Sequence, residues 1–441
     1  MFVLRLMTLV SLLFFAGCKA RNFSDTKNQS AGHGGIHRYL YVANDLTAEV
    51  DIFDISNHHA PVHSFKADLG LDKTQSLMLS HNDSDDQGDD DDDDDDDDKN
   101  EDKDKQSNDD GESGKMRYRG ITASARTGLL YLSDSDSGRV GAYDLKTEQL
   151  KWAKKLKECP FPDRLNLNKE GTELFIPCKT DPEQHVVVNA ETGEFINKWP
   201  MEKFPHNSFT GEQGKYIYLS GYRNPTLYAI PQDNPRIAMQ DVKKISGFKN
   251  PKGQGVRPFS VDKEERFVFT TQNDRVGFGV GDIEKGSQIF WIDQTTPAER
   301  TKHKSAKVPL KHKSANSHGI AVRPNSREVW FLDDMWGYLY VFDTSPLYQG
   351  TPKEPVHLAN VPLWTDVNEP WEPDLHWRWV ASNIEGDYIY PGVGSVVDAD
   401  TKKVIQEKIT PSEKLIEIQF QGSDGDLIPV RVSGQNGGVY E

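Results

Sequence analysis

The sequence predicts an all-β fold: a seven-bladed β-propeller of four-stranded antiparallel blades, its ring closed by a C-terminal strand. Three observations predict it. Short β-rich runs (Tyr39–Val42, Leu130–Ser133, Leu174–Ile176, Ile217–Ser220, Val268–Thr270, Val329–Phe331, Ile389–Tyr390) recur roughly every 40 to 60 residues once one acidic stretch is set aside, the period of propeller blades. Most are preceded by a polar turn such as Lys169-Glu170-Gly171-Thr172, Glu212-Gln213-Gly214-Lys215, Pro324-Asn325-Ser326-Arg327 or Ile384-Glu385-Gly386-Asp387, which suits a tight hairpin. A second run follows and ends in Asp or Asn at Phe53-Asp54, Tyr143-Asp144, Val188-Asn189, Ile292-Asp293, Phe342-Asp343 and Val397-Asp398; blade four departs with Ile230-Pro231. Four antiparallel strands repeated radially leave only short unpaired edges.

Composition agrees with a turn-rich globular chain. The 441 residues are 36% apolar and 27% charged, with 35 Gly, 24 Pro, 20 Phe, 15 Tyr and 9 Trp, which excludes a coiled coil, a collagen-like rod and a multi-span membrane protein. The net charge of −17 is concentrated in one place. Asp83 to Glu112 holds 19 acidic residues against Lys99, Lys103 and Lys105, so the rest of the chain is close to neutral. No basic excess exists to support phosphate-backbone binding, and nucleic acid is not an expected partner.

Taken in order, residues 1–17 read as a secretory signal: Arg5, then an apolar run from Leu6 through Phe15 that is too short to span a bilayer. Phe15-Ala16-Gly17-Cys18 resembles the bacterial lipobox, which implies a lipidated Cys18 as the mature N-terminus. An ordinary signal peptide cut near Ala20, or a short anchor, is the alternative. Lys19 after the cysteine resembles the sorting signal for the outer membrane, so the expected location is the cell envelope. Residues 18–37 have a tether composition, 38–80 form blade 1, 81–115 an acidic disordered insert, 116–410 blades 2 to 7, and 411–441 the closing strand and tail. Lys414–Phe420 alternates apolar and polar with period two, as a half-buried inner strand of blade 1 should. A hairpin with Leu427–Val432 packed outside the ring is the other arrangement.

The insert carries ten consecutive aspartates, Asp89–Asp98, which repel one another and bury nothing. Asp83-Ser84-Asp85-Asp86-Gln87-Gly88 half-matches a calcium loop, but Gln87 and Asp94 stand where better ligands belong; loose Ca²⁺ association by the tract is the expectation, beside a purely solvating role. With Cys18 assigned to lipid, Cys159 and Cys178 remain as a candidate disulfide, and their spacing fits no zinc pattern. Regular ladder geometry would hold their sulfurs too far apart, unless Pro160 and Pro162 fold Cys159 back.

Tyr41-Val42-Ala43-Asn44 with Val50–Asp54, and His318–Val322 with Val329–Phe331, resemble the Tyr-Val-Thr-Asn propeller repeat of bacterial and archaeal surface proteins. The resemblance implies the propeller fold; function stays open, because this superfamily includes binding proteins, lactonases and cofactor-free amine dehydrogenase subunits.

One repeat position carries a functional signal. Five residues before the hairpin turns of blades 2 to 7 stand Arg119, Asp163, His206, Arg257, His318 and Arg378, with Arg164 following the exception. This register starts the innermost strands, so Arg119, His206, Arg257, His318 and Arg378 should line the channel. Guanidinium groups fork carboxylates and phosphates, and crowded like charges call for an anion. An anionic small molecule or an envelope protein is the expected partner; polar lining, with the arginines paired to Asp163, Asp333 or Asp334, is the alternative. Anion affinity should rise below about pH 6.5 if His206 and His318 titrate.

No catalytic fingerprint, metal set or cofactor motif is expected. His33, His37, His58, His59 and His63 read as scattered surface histidines, and Trp371, Trp377 and Trp379 with His376 as blade packing or an aromatic channel rim. A lactonase-like or amine-dehydrogenase-like enzyme is the alternative function, and a haem-carrying propeller would need His206 or His318 as axial ligand.

Intact-mass analysis of native protein should show a lipid-bearing Cys18 that Cys18→Ser lacks. An unlipidated N-terminus near Arg21 in the wild type would refute the anchor.

Overall fold

The computed structural model describes residues 35–69 except 46, 118–248 except 202 and 203, 255–294 except 273 and 274, 318–363 except 334 and 335, and 379–440 except 407, 424, 436 and 437. The leader, Cys18, most of the tether, the acidic insert, His33, Asp334, Trp371, His376, Trp377 and Arg378 lie outside those residues.

Seven antiparallel sheets form the ring. The inner strands of blades 2 to 7 are Tyr118–Ser124, Asn166–Leu167, Pro205–Thr210, Phe259–Val261, Ile320–Val322 and Val380–Ser382, each followed outward by three strands in chain order. Blade 1 is completed from the far end of the chain. Leu415–Gln421 pairs with Ile36–Asn44, Tyr39 opposite Ile418 and Tyr41 opposite Ile416, and Glu49–Asp54 and Ala60–Lys66 follow outward. The first strand begins at Ile36, slightly before the boundary expected at Arg38.

The chain then turns into the ring. Ile428–Ser433 pairs with the other edge of Leu415–Gln421, and Val439–Tyr440 pairs with Val432 and Ser433, so this sheet has six strands. Contacts with inner strands of other blades place this segment in the channel: Ile121 N donates to Gln435 Oε1 (3.3 Å) and Tyr440 Oη to the Thr210 carbonyl (2.9 Å). The hairpin therefore lies inside the ring, not outside it.

Local chemistry explains the repeated turns. Where the third strand of a blade ends in Asp or Asn, the side chain caps the next turn: Asp144 accepts from Lys146 N and Thr147 N, Asn189 from Glu191 N and Thr192 N, and Asp398 from Thr401 N. Blade 5 corrects the sequence reading. Its third strand is Gly277–Asp282, and Asp282 accepts from Lys285 N, whereas Ile292-Asp293 ends the fourth strand and Asp293 pairs with Arg275.

Apolar side chains seal each blade against the next. Between blades 5 and 6, Phe278 meets Phe331 and Phe342 at 5.5 and 5.2 Å between centroids, and all three are almost fully buried. Burying each such ring contributes about 1.5–3 kcal/mol. Trp330, Leu339, Val380 and Val397 do the same between blades 6 and 7.

In blade 3, Cys159 and Cys178 are joined, with 2.06 Å between sulfurs and 5.0 Å between Cα atoms. Asn166 faces Phe175 and Leu167 faces Leu174, but Pro162 faces Cys178, one step off that register. The prolines end the regular ladder there, and the chain before them folds back over Cys178.

The seam of the ring is also polar. Glu417, buried, accepts from Arg38 Nε at 2.9 Å and from Ile384 N at 2.8 Å, while the Arg38 fork holds Asp387 at 3.0 and 3.1 Å. Glu417→Ala leaves a buried N–H and a largely buried guanidinium without this acceptor, and denaturant unfolding should show a loss of about 3 kcal/mol. A loss below about 1 kcal/mol would place the closure in the strand ladder and apolar packing alone.

Candidate functional site

Inner strands all begin at one end of the channel, so residues at their starts converge there. Arg119 and His206 are second in their strands, and Arg257 and His318 stand two residues ahead of Phe259 and Ile320. These four column residues meet as expected. Blade 1 adds a member that the sequence alignment missed. Glu413 stands two residues ahead of Leu415, the same place in its blade as Arg257 and His318 in theirs.

The cluster is a linked network. Arg119 Nε reaches Asp163 Oδ1 at 3.4 Å and Arg164 Nη1 reaches the same oxygen at 3.5 Å. Arg164 also donates from Nη1 to His206 Nε2 (2.9 Å) and from Nη2 to Glu413 Oε2 (2.5 Å), with its guanidinium 4.3 Å over the Trp379 ring. Lys414 Nζ lies 3.7 Å from Glu413 Oε2 and 3.2 Å from Asp45 Oδ2. Arg257 donates to His318 Nε2 at 3.0 Å and stacks 4.2 Å over Tyr222, and His318 Nδ1 is 3.9 Å from Glu413 Oε1. Four cations, Arg119, Arg164, Arg257 and Lys414, are thus linked to three carboxylates, Asp45, Asp163 and Glu413.

Burial tunes the members differently. Burial alone would push the Asp163 carboxyl up, but Arg119 and Arg164 overcome it and hold Asp163 ionised below the usual carboxylate range. His206 goes the other way: burial first, then Arg164 and Arg257, pull it well below its ordinary value. Accepting from Arg164 at Nε2 leaves Nδ1–H to donate to Asn207 Oδ1, so His206 is neutral with both nitrogens engaged. The expected gain of positive charge at His206 below pH 6.5 is therefore corrected, because a ring already flanked by guanidinium groups does not take up a proton there.

Beside the network stand buried polar atoms without a hydrogen-bond partner among the described residues. Asn207 Nδ2 and Ser220 Oγ are such a pair on facing strand positions, and both amide atoms of Gln272 are another case. Gln272 follows Thr271, whose N–H donates to the Pro258 carbonyl, which puts it beside Arg257 in the ladder. Each such group costs about 1–3 kcal/mol, and native proteins keep few of them.

The opposite end of the channel has a different character. A cavity of about 380 Å³ is lined by hairpin-turn residues including Glu212, Lys263, Arg323 and Asn325, with Gly438 of the channel segment. Burial pushes Glu212 up to about 7 and Asp262, which accepts from Tyr348 Oη at 2.7 Å, up to about 6.

Other candidates disperse. His59 is not at the surface as expected but buried between Tyr388 and Tyr390, bonding Tyr390 Oη (2.9 Å), while His63 bonds Glu148 and His37 stacks on Tyr39; among the described residues no His, Cys, Asp and Glu group is arranged to hold a metal. Trp379 is buried under Arg164 and edge-on to His318, while Asp333 accepts from Tyr340 Oη and Trp336 N.

No family model matches the chain, and no curated protein sequence matches it. Among solved structures the chain is similar to a functionally unknown protein from Desulfotomaculum acetoxidans DSM 771, at 8% identity and TM-score 0.54, over 86% of this chain and 98% of that one. It is also similar to the dihydro-heme d1 dehydrogenase NirN in complex with DHE, at 11% identity and TM-score 0.49, over 91% of this chain and 74% of that one. At such identities the likeness is one of fold.

His185, buried behind Asn207, is pulled down to about 3, chiefly by burial. Unfolded His185 binds a proton below about pH 6.5 and folded His185 does not, so its contribution to stability falls as pH drops through that window. Relative to His185→Gln, the wild type should lose about 2 kcal/mol between pH 7.5 and pH 5, read from urea unfolding at each pH. Parallel stability curves would show that His185 titrates normally.

Proposed function

We propose that this protein is a lipid-anchored binding module of the cell envelope, a propeller of the Tyr-Val-Thr-Asn type whose basic channel end takes an anionic group from a small molecule or an envelope partner. The observation that carries this reading is the linked network, in which four cations face three carboxylates at the convergence of the inner strands. Asn207, Ser220 and Gln272 add buried polar atoms that have no hydrogen-bond partner among the described residues. A partly desolvated cluster of guanidinium groups gives short, charge-assisted contacts to carboxylate or phosphate. The anchor rests on Phe15-Ala16-Gly17-Cys18, and the acidic tract offers loose Ca²⁺ association in the same compartment.

Thermal-shift and calorimetric titration with acetate and inorganic phosphate test the site. Anion should stabilise the wild type, and Arg257→Leu should weaken binding by about 1.5–3 kcal/mol, roughly 10- to 150-fold. If no anion stabilises the wild type, or if Arg257→Leu responds identically, the column is channel lining and the reading falls.

A further inference from the structure

Glu413 holds an odd place in the network. The column at the inner-strand starts is mainly basic, yet in blade 1 the corresponding position is an acid supplied by the C-terminal segment. Its carboxylate receives the Arg164 Nη2 donor at 2.5 Å, and it has Lys414 Nζ at 3.7 Å and His318 Nδ1 at 3.9 Å. The Trp379 ring lies against Arg164, with 4.3 Å from its centroid to the guanidinium carbon. The backbone is fixed separately. Gln435, in the channel segment, donates from Nε2 to the Glu413 carbonyl (3.0 Å) and accepts from Trp379 Nε1 at its own carbonyl (2.7 Å). Arg164, Lys414 and His318 thus surround one carboxylate whose backbone is tied to the channel segment.

We propose that the group recognised at the basic end of the channel is a carboxylate of a small molecule, and that Glu413 is the chain's own stand-in for it. This rests on the anion-binding reading and adds the ligand class and an internal competitor. A guanidinium fork takes a carboxylate or a phosphate, and the group that occupies the Arg164 fork in this chain is a carboxylate. An entering carboxylate takes the Arg164 donor as Glu413 swings away. The internal carboxylate lowers apparent affinity by competing for the same positive charge.

Chemical rescue tests this. In full-length Glu413→Ala the Arg164 guanidinium loses its carboxylate, so the melting temperature should fall. Sodium acetate or formate should then restore it, with half-saturation at least about tenfold below that of any acetate effect on the wild type, equivalent to about 1.4 kcal/mol. Sodium chloride and phosphate at matched ionic strength should not restore it. Glu413→Gln, which keeps the side-chain volume, should not respond to acetate. If Glu413→Ala does not fold unaided, refolding yield with and without acetate is the readout. Absence of rescue, or equal rescue by chloride, overturns the stand-in role. If the wild type and Arg257→Leu still differ in their response to anions, only this inference fails; if they do not, the anion-binding reading fails with it.

Discussion

The pairing of Leu415–Gln421 with Ile36–Asn44 joins residues as far apart as Arg38 and Glu417, 379 positions in sequence. Bringing such distant segments together costs about 4 kcal/mol of loop entropy beyond a short turn. The seam offsets it with Tyr39, Tyr41, Ile416, Ile418 and Phe420, all buried, and with the Glu417 carboxylate that accepts from Arg38 and Ile384. The path of the remaining chain follows. With one edge of Leu415–Gln421 taken by Ile36–Asn44, its other edge faces the axis, and Ile428–Ser433 pairs there. Closing the ring by a C-terminal strand and filling the channel are consequences of one topology.

That topology also sets the charge balance. Inner strands that start at one end of an axis bring their first residues together, and Arg119, Arg257 and Arg164 would repel one another in a low dielectric. Two acids at the same level, Asp163 from blade 3 and Glu413 from the closing segment, hold the cluster together. One histidine is kept from adding charge. His206 is neutral because burial and its guanidinium neighbours act in the same direction. The result is a cluster of fixed rather than pH-switched charge at that position.

Features that depend on local chemistry were legible in the sequence. Hairpin turns, the Asp and Asn caps and the seven-fold repetition each follow from residues a few positions apart, and the basic column followed from counting back from those turns. The same locality explains the errors. Ile292-Asp293 looks like the end of a third strand because a strand ending in Ile-Asp reads alike wherever it stands, and only sheet order shows Asp282 in that role. Glu413 was missed because the inner and second strands of blade 1 come from opposite ends of the chain and share no hairpin turn from which to count. Its contact with Arg164 spans 249 residues, and no local pattern encodes it. Nor could alternation in Ile428–Ser433 say which edge of the closing strand it would join, since a strand presents the same pattern to either side.

Glu413 therefore stands at the junction of two requirements. It lies two residues before the strand that closes the ring, its backbone is held by Gln435 of the channel segment, and its carboxylate neutralises the basic cluster. A change in what Arg164 binds must alter the free energy of holding residues 411–414, and through them the seam. Such coupling is reciprocal: whatever stabilises the seam must change affinity at the cluster by the same factor. The ring supplies rigidity through its inter-blade packing, so the adjustable element is the short segment that enters the closing strand. On the anion-binding proposal, a ligand at the cluster would act on the joint that closes the ring.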